Sequence, residues 1–274
     1  MSNNFGGEWT EIKLNALQKY ISAYCTALKN QNFNKVYLDV FAGSGSCKTR
    51  TDIIPGSTRI ALEFGSFDEY IFIEKNQEFV KELNELIKIF PNKNIIIICG
   101  DCNDKLDNVL SKYNWYSTRM LAFIDPFSTQ LSYDTLVKIS KIQAIDSWYL
   151  FPFSALIRCI KKDGNISESL KDIIFGMLGT TEWEKGLFKK SIQVNLFNED
   201  IYERVEINDI CCFIKKNLNK IFPYVSCPVY LTNTKNAPLF LLFFTMSNPS
   251  DRAIEVGKEI SSSIIKAYPT VCEH

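Results

Sequence analysis

An acidic residue and two glycines follow an apolar run near the start of the chain. Asp39 ends the run, and the turn after it contains Phe41, Ala42, Gly43 and Gly45. Glycines let a backbone approach a ligand closely where a strand of an α/β sheet ends. The residue types therefore predict a cofactor-binding turn, with a purely structural turn as the alternative.

The residue type at position 48 helps to distinguish a turn that binds pyrophosphate from a turn that binds another ligand. A turn that binds pyrophosphate uses a third glycine close to this position, but the sequence has Lys48. The Asp39 carboxylate would also repel two phosphates. The turn thus favours a ligand with a positively charged end, such as the methionine part of S-adenosylmethionine (SAM). A nicotinamide-dependent oxidoreductase is the weaker interpretation.

Two further acidic residues follow the next two apolar runs. Glu74 precedes Lys75 in one, and Asp101 precedes Cys102 and Asn103 in the other. The ends of parallel strands meet at one edge of a sheet, where these carboxylates would join that of the first turn. Glu74 would accept from ribose hydroxyls and Asp101 from the adenine amine. A solvated strand end and a helix cap are the alternatives.

A fourth apolar run ends in Asp125-Pro126-Phe127, which resembles the [D/N]-P-P-[Y/F] motif of amino methyltransferases. In that motif the carboxylate accepts hydrogens from the target amine, and the aromatic ring stacks on a base. The single proline shifts the ring by one position, which puts adenine or cytosine as the target in doubt. The alternative is a proline-terminated strand whose Phe127 returns to the core.

Alternating strands and helices must position these residues. Strands are predicted at residues 35–41, 69–74, 94–99, 119–125 and 144–151, and helices at 55–65, 76–90, 103–113 and 132–142. Strands separated by crossover helices form a parallel sheet that is covered on both faces. Apolar spacing from Trp9 to Leu28 predicts a preceding amphipathic helix, with Thr10 as its N-cap. The expected fold is an α/β, Rossmann-like sheet with an N-terminal helix.

The second half of the chain differs in pattern. Residues 157–222 read as predominantly helical, and we interpret them as a helical insertion. Two apolar runs, 224–231 and 238–246, then predict an antiparallel hairpin, followed by a helix from about Asn248. No flexible linker interrupts the sequence, so residues 1–274 are expected to form one methyltransferase-like domain.

Composition excludes several classes of site. Lys plus Arg and Asp plus Glu both number 31, which argues against nucleic-acid binding through bulk positive charge. The one histidine, His274, is the last residue given, which argues against histidine-based catalysis and histidine-containing zinc sites. Cys99 and Cys102 have the spacing of half a zinc site, but no second such pair follows, so no metal is expected. The thiols are expected to be reduced.

The start of the chain lacks a signal-peptide pattern, and no apolar run is long enough to span a bilayer. A cytoplasmic protein without a membrane role is expected. Lys48 and Arg50 follow the cofactor turn, where they could meet substrate phosphates, although a solvated loop is the simpler interpretation.

Several blocks of the chain, in order, resemble the three-Cys-motif partner family (TcmP). They are Gly6-Gly7-Glu8-Trp9-Thr10-Glu11-Ile12-Lys13-Leu14, Leu38-Asp39-Val40-Phe41-Ala42-Gly43-Ser44-Gly45, Pro55-Gly56-Ser57, Phe72-Ile73-Glu74-Lys75, Gly100-Asp101-Cys102-Asn103, Asp125-Pro126-Phe127 and Trp148-Tyr149-Leu150-Phe151-Pro152. The similarity runs from the N-terminus to about Arg158, and Trp9-Thr10 with Lys13-Leu14 is its most distinctive element. It implies a class I SAM-dependent methyltransferase fold, in which Trp9 and Lys13 fold over the cofactor edge.

The resemblance also implies a bacterial cytoplasmic protein that acts with a partner carrying a three-cysteine motif of radical-SAM type. Our leading hypothesis is a SAM-dependent methyltransferase acting on nucleic acid or a nucleic-acid component. The competing hypothesis is a methyltransferase-like scaffold that binds a nucleoside or a partner protein without transferring a methyl group.

Overall fold

A computed structural model describes residues 7–48, 52–162, 164–194 and 200–271. The helices are α1 (Glu8–Ala27), α2 (Ser57–Phe64), α3 (Gln77–Ile87), α4 (Cys102–Leu110), α5 (Tyr133–Lys141), α6 (Phe153–Cys159), α7 (Glu168–Leu178), α8 (Trp183–Gly186), α9 (Ile207–Leu218) and α10 (Asp251–Ile265). The strands are β1 (Asn34–Asp39), β2 (Ser46–Lys48), β3 (Ile53–Pro55), β4 (Glu69–Glu74), β5 (Ile95–Cys99), β6 (Thr118–Ile124), β7 (Ile145–Phe151), β8 (Phe188–Val194), β9 (Asp200–Arg204), β10 (Tyr224–Val225), β11 (Val229–Thr232) and β12 (Pro238–Met246).

The central sheet has the strand order β5-β4-β1-β6-β7-β12-β10, with β11 also paired to β12. The strands from β5 to β7 run parallel, and β12 runs antiparallel beside β7. Chain order therefore reverses between β1 and β6, as in doubly wound α/β folds. The predicted fold class, a mostly parallel Rossmann-like sheet with an antiparallel last strand, is confirmed.

Both faces of the sheet are buried, which explains the nearly continuous apolar sequence of its inner strands. One face packs against α1, α2 and α10, where Leu17, Tyr20 and Ile21 of α1 are fully covered. The opposite face packs against α4 and α5 and against helices of the segment 157–222. Helix α1 is thereby fixed to the sheet, with its first turns close to the edge where β6 ends.

The predicted elements lie close to the observed ones, but the predicted cap of the first helix is wrong. Helix α1 begins at Glu8, and Gly7 occupies the N-cap position without a side-chain hydrogen bond. Thr10 lies inside the first turn, buried, and its hydroxyl lacks a hydrogen-bond partner among the described residues. Pro55 belongs to a short hairpin, β2–β3, so that α2 starts only at Ser57.

The prediction that the segment 157–222 is helical is wrong over part of its length. Helices α7, α8 and α9 are present, but β8 and β9 pair antiparallel between α8 and α9. Apolar or aromatic residues at 188, 192 and 194 lie two or four apart, the period of a strand, and the intervening lysines obscured it. Side chains of α7 and α9 share the buried cluster of the sheet.

The C-terminal hairpin is confirmed, with β11 antiparallel to β12. Its first run is broken into β10 and β11 around Pro228, which cannot donate to a strand ladder. Helix α10 starts at Asp251 rather than Asn248, because Asn248 precedes Pro249 and is biased towards an extended backbone. Among the described residues, no helix combines the length and apolar character needed to cross a membrane.

Candidate cofactor and acceptor site

Four acidic residues lie along one edge of the sheet, where four neighbouring parallel strands end. In spatial order they are Asp101 after β5, Glu74 on β4, Asp39 on β1 and Asp125 after β6. Backbone contacts join the strand ends, since the Ala42 amide donates to the Ile73 carbonyl at 3.0 Å. The fold therefore brings the predicted acidic residues of separate motifs to one edge.

Asp39 is completely buried. Its carboxylate accepts hydrogen bonds from Ser57, from the Phe41 amide at 3.3 Å and from the Tyr37 hydroxyl at 3.4 Å. Burial raises the pKa of Asp39 to about 7; the Ser57 and Phe41 contacts oppose the rise, and the charges of Asp125 and Glu74 add to it. A cation bound nearby would favour the ionised form. Sequence reasoning gave no role to Ser57, although it lies in one of the blocks of family resemblance.

Glu74 joins the β1 turn to the start of α3. One carboxylate oxygen accepts from the Gly43 amide at 2.8 Å, and the other accepts from the Asn76 amide at 2.7 Å. Each carboxylate oxygen has a second lone pair. Glu74 thus fixes the shape of the glycine turn and keeps capacity for hydroxyl donors of a ligand.

The two glycines of the turn have left-handed backbone conformations, which favour glycine. Gly43 has a φ of 63°, and a Cβ atom placed there would meet nothing within 4 Å. Gly45 has a φ of 81°, and a Cβ atom there would collide with Leu86. Phe41 is half-buried and Ala42 buried, which fixes the start of the turn. The open space at Gly43 forms a cradle beside the carboxylates.

Asp101 serves as the N-cap of α4, because its Oδ1 accepts from the Asn103 amide at 3.0 Å. Its Oδ2 accepts from Lys75 at 2.9 Å. Although partial burial opposes it, the hydrogen bonds from Lys75 and Asn103 hold the pKa of Asp101 below its usual range. Cys102 is buried, and desolvation raises the pKa of its thiol to about 12. The capping role is present, and the carboxylate stays ionised.

Both polar atoms of the Asn103 side chain form hydrogen bonds within the protein. Its amide nitrogen donates to Asp101 and to the Gln130 carbonyl, and its oxygen accepts from the Ser132 amide and the Thr135 hydroxyl. These bonds tie the start of α4 to the loop that leads from β6 into α5. Asn103 therefore positions the loop that follows β6.

The Asp125-Pro126-Phe127 segment leaves the sheet beside Asp39. Pro126 is buried, whereas Phe127 is 60% exposed. Ser128 follows with a φ of 56°, an uncommon conformation for a residue other than glycine, which turns the chain sharply after the ring. The alternative in which Phe127 returns to the core is therefore excluded.

Helix α1 contributes two side chains to the same edge. The Lys13 ammonium forms an ion pair with the Asp125 Oδ2 and lies 4.9 Å from the centre of the Trp9 ring. Trp9 in turn packs against Phe240 of β12, with ring centroids 4.9 Å apart. The sequence gave no role to Phe240, because its place beside α1 arises only when the last strand inserts antiparallel into the sheet.

Of the two basic residues that follow the glycine turn, the structure describes Lys48 but not Arg50. Lys48 ends β2 and is exposed. Arg50 lies outside the described residues, so its proposed role with phosphates stays a prediction.

The residues of this edge fit a cationic nucleoside ligand such as SAM. A buried carboxylate with a raised pKa, Asp39, suits a positively charged group, and Glu74 offers acceptors for ribose hydroxyls. The cradle at Gly43 leaves room for backbone contact with the ligand. The donor set would suit two phosphates poorly, because carboxylates repel them.

The strand order and the position of this edge define a Rossmann-like, class I methyltransferase-type fold. Neither a family model nor a curated protein matches the sequence. The chain is similar to the crystal structure of protein LPL1258 from Legionella pneumophila, described by the family model DUF519. The identity is 12%, 98% of this chain and 99% of that chain are covered, and the TM-score is 0.55. This similarity supports the fold alone.

Two weaker likenesses have TM-scores below 0.5 and carry no functional conclusion. One is to a SAM-dependent methyltransferase from Clostridium acetobutylicum, at 13% identity, with 85% of this chain and 91% of that chain covered and a TM-score of 0.39. The other is to spermidine synthase from Thermotoga maritima, at 10% identity, with 94% and 71% covered and a TM-score of 0.42.

Proposed function

We propose that this protein is a SAM-dependent methyltransferase that acts on nucleic acid or a nucleic-acid component. The observation that carries the proposal is the alignment of Asp101, Glu74, Asp39 and Asp125 along four adjacent strand ends, with the exposed Phe127 at the last of them. A nucleoside with a positively charged tail would meet three of these carboxylates, and a methyl acceptor would meet the fourth.

Asp39, Glu74 and the turn that contains Gly43 would hold the cofactor. Asp39 balances positive charge from its buried position, and Glu74 accepts from hydroxyl groups while it fixes the turn. Asp101 would accept from the adenine amine, and its ion pair with Lys75 keeps it ionised. Bound SAM supplies an electrophilic methyl group on a cationic sulfur.

The acceptor side consists of Asp125, Pro126 and Phe127. Pro126, which is buried between them, restricts the backbone that joins Asp125 to Phe127. The exposed ring offers a flat apolar surface on which a base can stack. Asp125 would accept a hydrogen bond from the N–H of the atom that is methylated and would take up that proton as the methyl group is transferred. The chain otherwise mainly aligns its substrate, and alignment is worth up to ~7–11 kcal/mol in well-oriented reactions.

The partner in our proposal is a protein with a three-cysteine motif of radical-SAM type, and the setting is the bacterial cytoplasm. The support is the family resemblance described above. Its most distinctive block contains Trp9 and Lys13: Lys13 pairs with Asp125, and the Trp9 ring lies next to the Lys13 ammonium. We therefore propose that this block serves the acceptor side as well as the cofactor edge.

Two observations favour a second candidate, a scaffold that binds a nucleoside without transferring a methyl group. The Lys13 ammonium engages the Asp125 carboxylate, which an amine acceptor would need. The single proline points the same way, since the segment departs from the motif of amino methyltransferases.

Methyl transfer from radiolabelled SAM to RNA, DNA or cell extract distinguishes the two candidates, with and without the three-Cys partner. We expect incorporation into nucleic acid that is abolished in Asp125→Ala. Asp107→Ala is the matched control, because Asp107 also pairs with a lysine but lies on the outer surface of α4. Binding of SAM without incorporation under any of these conditions would support the scaffold.

A further inference from the structure

The ion pair between Lys13 and Asp125 is buried to an unusual degree for charged side chains. The Lys13 side chain is 7% exposed and that of Asp125 is 23% exposed. Most ion pairs elsewhere in the described chain are more open, such as Lys138 with Asp107 at 36% and 62%. Taking two charges out of water has a large desolvation cost, so a buried pair is weak evidence for a stabilising role. Its position beside the acceptor motif suggests a role in binding.

The pair retains hydrogen-bonding capacity on both sides. An ammonium group has three N–H donors, and among the described residues Lys13 donates to Asp125 alone. Only Oδ2 of Asp125 takes part in that contact, so Oδ1 can accept another hydrogen bond. A cationic donor and an anionic acceptor thus lie side by side at the end of β6.

Aromatic side chains border this pair. Trp9 lies under the Lys13 ammonium and packs against Phe240, while Phe127 is two residues beyond Asp125 and largely exposed. Trp9 thus supports the Lys13 ammonium, and the exposed Phe127 ring, two residues from the acceptor, suits a planar heterocycle that stacks and presents one polar edge.

We propose that Lys13 and Asp125 together bind the edge of a lactam base, in which a ring N–H lies next to a carbonyl oxygen, as in uracil, guanine and hypoxanthine. The ring N–H donates to Asp125, and the carbonyl oxygen accepts from Lys13. This inference rests on the proposed function, because it identifies the acceptor side of the same site.

The charges of the pair favour a lactam edge over the amine edge of adenine or cytosine. Hydrogen bonds to charged groups are stronger than those between neutral groups. They are strongest when an anion accepts from an acidic donor and when a cation donates to an electron-rich acceptor. A lactam N–H is more acidic than an amino N–H, and a carbonyl oxygen offers two lone pairs where a ring nitrogen offers one. The departure from the two-proline amine motif agrees with this preference.

Binding of short RNAs tests the inference without relying on catalysis. Fluorescence anisotropy would compare otherwise identical hexanucleotides with one central test base: uridine against cytidine, and inosine against adenosine. The comparison of uridine with cytidine tests whether a pyrimidine supplies the lactam edge. The comparison of inosine with adenosine tests whether a purine supplies it. A third probe, 3-methyluridine, carries N–CH3 in place of the ring N–H and keeps both carbonyl oxygens. Calorimetry with SAM on the same protein samples reports the cofactor site separately.

We expect at least one lactam base to bind between about five-fold and about 100-fold more tightly than its amine counterpart, and 3-methyluridine to bind like cytidine. Lys13→Met and Asp125→Asn should abolish the preference. Lys138→Met, which breaks an exposed ion pair away from the site, should retain it. If either site variant does not fold, the comparison of bases on the unaltered protein still decides the question.

Equal affinity for all bases, or a preference for adenosine or cytidine, would overturn the inference while SAM binding left the proposed function intact. Loss of SAM binding in Lys13→Met with an unchanged base preference would also overturn it, because Lys13 would then serve the cofactor's carboxylate. A lactam preference without any SAM binding would support the inference as a base-binding site and refute the proposed methyltransferase.

Discussion

The substitution Asp39→Asn probes the charge at the centre of the site. The side chain is completely buried, and burial raises its pKa to about 7 from an ordinary value of 3.8. The native protein therefore holds a proton that the unfolded chain releases between about pH 4 and pH 7. The contribution of Asp39 to the free energy of unfolding is fully present below that window and is lost as the pH rises through 7.

The magnitude follows from the difference in pKa. A difference of about three units corresponds to about 4 kcal/mol, which is the cost of keeping ionised Asp39 buried above pH 7. Asparagine is neutral at every pH and keeps an acceptor for the Phe41 amide. We expect Asp39→Asn to raise the free energy of unfolding by up to about 4 kcal/mol at pH 8, and to change it little at pH 4.

Urea denaturation at pH 4, 6 and 8 measures this effect, and Asp146→Asn is the matched control. Asp146 lies at the opposite end of the sheet, bonded to the Tyr20 hydroxyl, and burial raises its pKa to about 7 as well. Both variants should be more stable than the unaltered protein at pH 8. A change in stability that is the same at pH 4 and pH 8 in Asp39→Asn would refute the reasoning.

Measurements of SAM binding should distinguish Asp39 from Asp146. A cation near Asp39 favours its ionised form, so SAM affinity should rise up to about tenfold per pH unit between pH 5.5 and 7. Asp39→Asn should bind SAM more weakly and lose this pH dependence, whereas Asp146→Asn should retain both. Equal SAM affinity and equal pH dependence in the two variants would show that Asp39 plays no part in the site.

Four further substitutions test other parts of the account. Phe127→Ala should change stability by less than about 0.5 kcal/mol in urea denaturation, because the ring is exposed, and should weaken RNA binding by about 1–3 kcal/mol in anisotropy measurements. Gly45→Ala should destabilise the protein by about 1–3 kcal/mol, since a φ of 81° strains alanine and the Leu86 side chain must also shift to make room for the Cβ, whereas Gly43→Ala should cost about 1 kcal/mol in urea denaturation. Asn103→Ala should cost about 1–3 kcal/mol by the same measurement, because it leaves the hydroxyl of the buried Thr135 and the part-buried Ser132 amide without their acceptor. Unchanged stability in Gly45→Ala or Asn103→Ala, or unchanged RNA affinity in Phe127→Ala, would contradict the assigned role.

The sequence predicted the sheet and its acidic edge because these depend on local patterns. Apolar runs followed by Asp39, Glu74, Asp101 and Asp125 mark strand ends, and parallel strands must place those ends together. The order of the strands and the antiparallel last strand are consistent with the same pattern.

Contacts between distant parts of the chain could not be predicted in this way. The pairing of Lys13 with Asp125 joins residues 112 positions apart, and periodicity says only that α1 is amphipathic. The contact between Trp9 and Phe240 depends on how α1 crosses the inserted strand β12. The hairpin β8–β9 was missed because adjacent lysines mask the two-residue period of a strand.

The most direct test of the central claim is isothermal titration calorimetry of the purified protein with SAM. The account predicts saturable binding at one site, strongly weakened in Asp39→Asn and Glu74→Gln and unchanged in Asp107→Asn. Folded protein that shows no binding of SAM, or binding that is unaffected by both site substitutions, would contradict it.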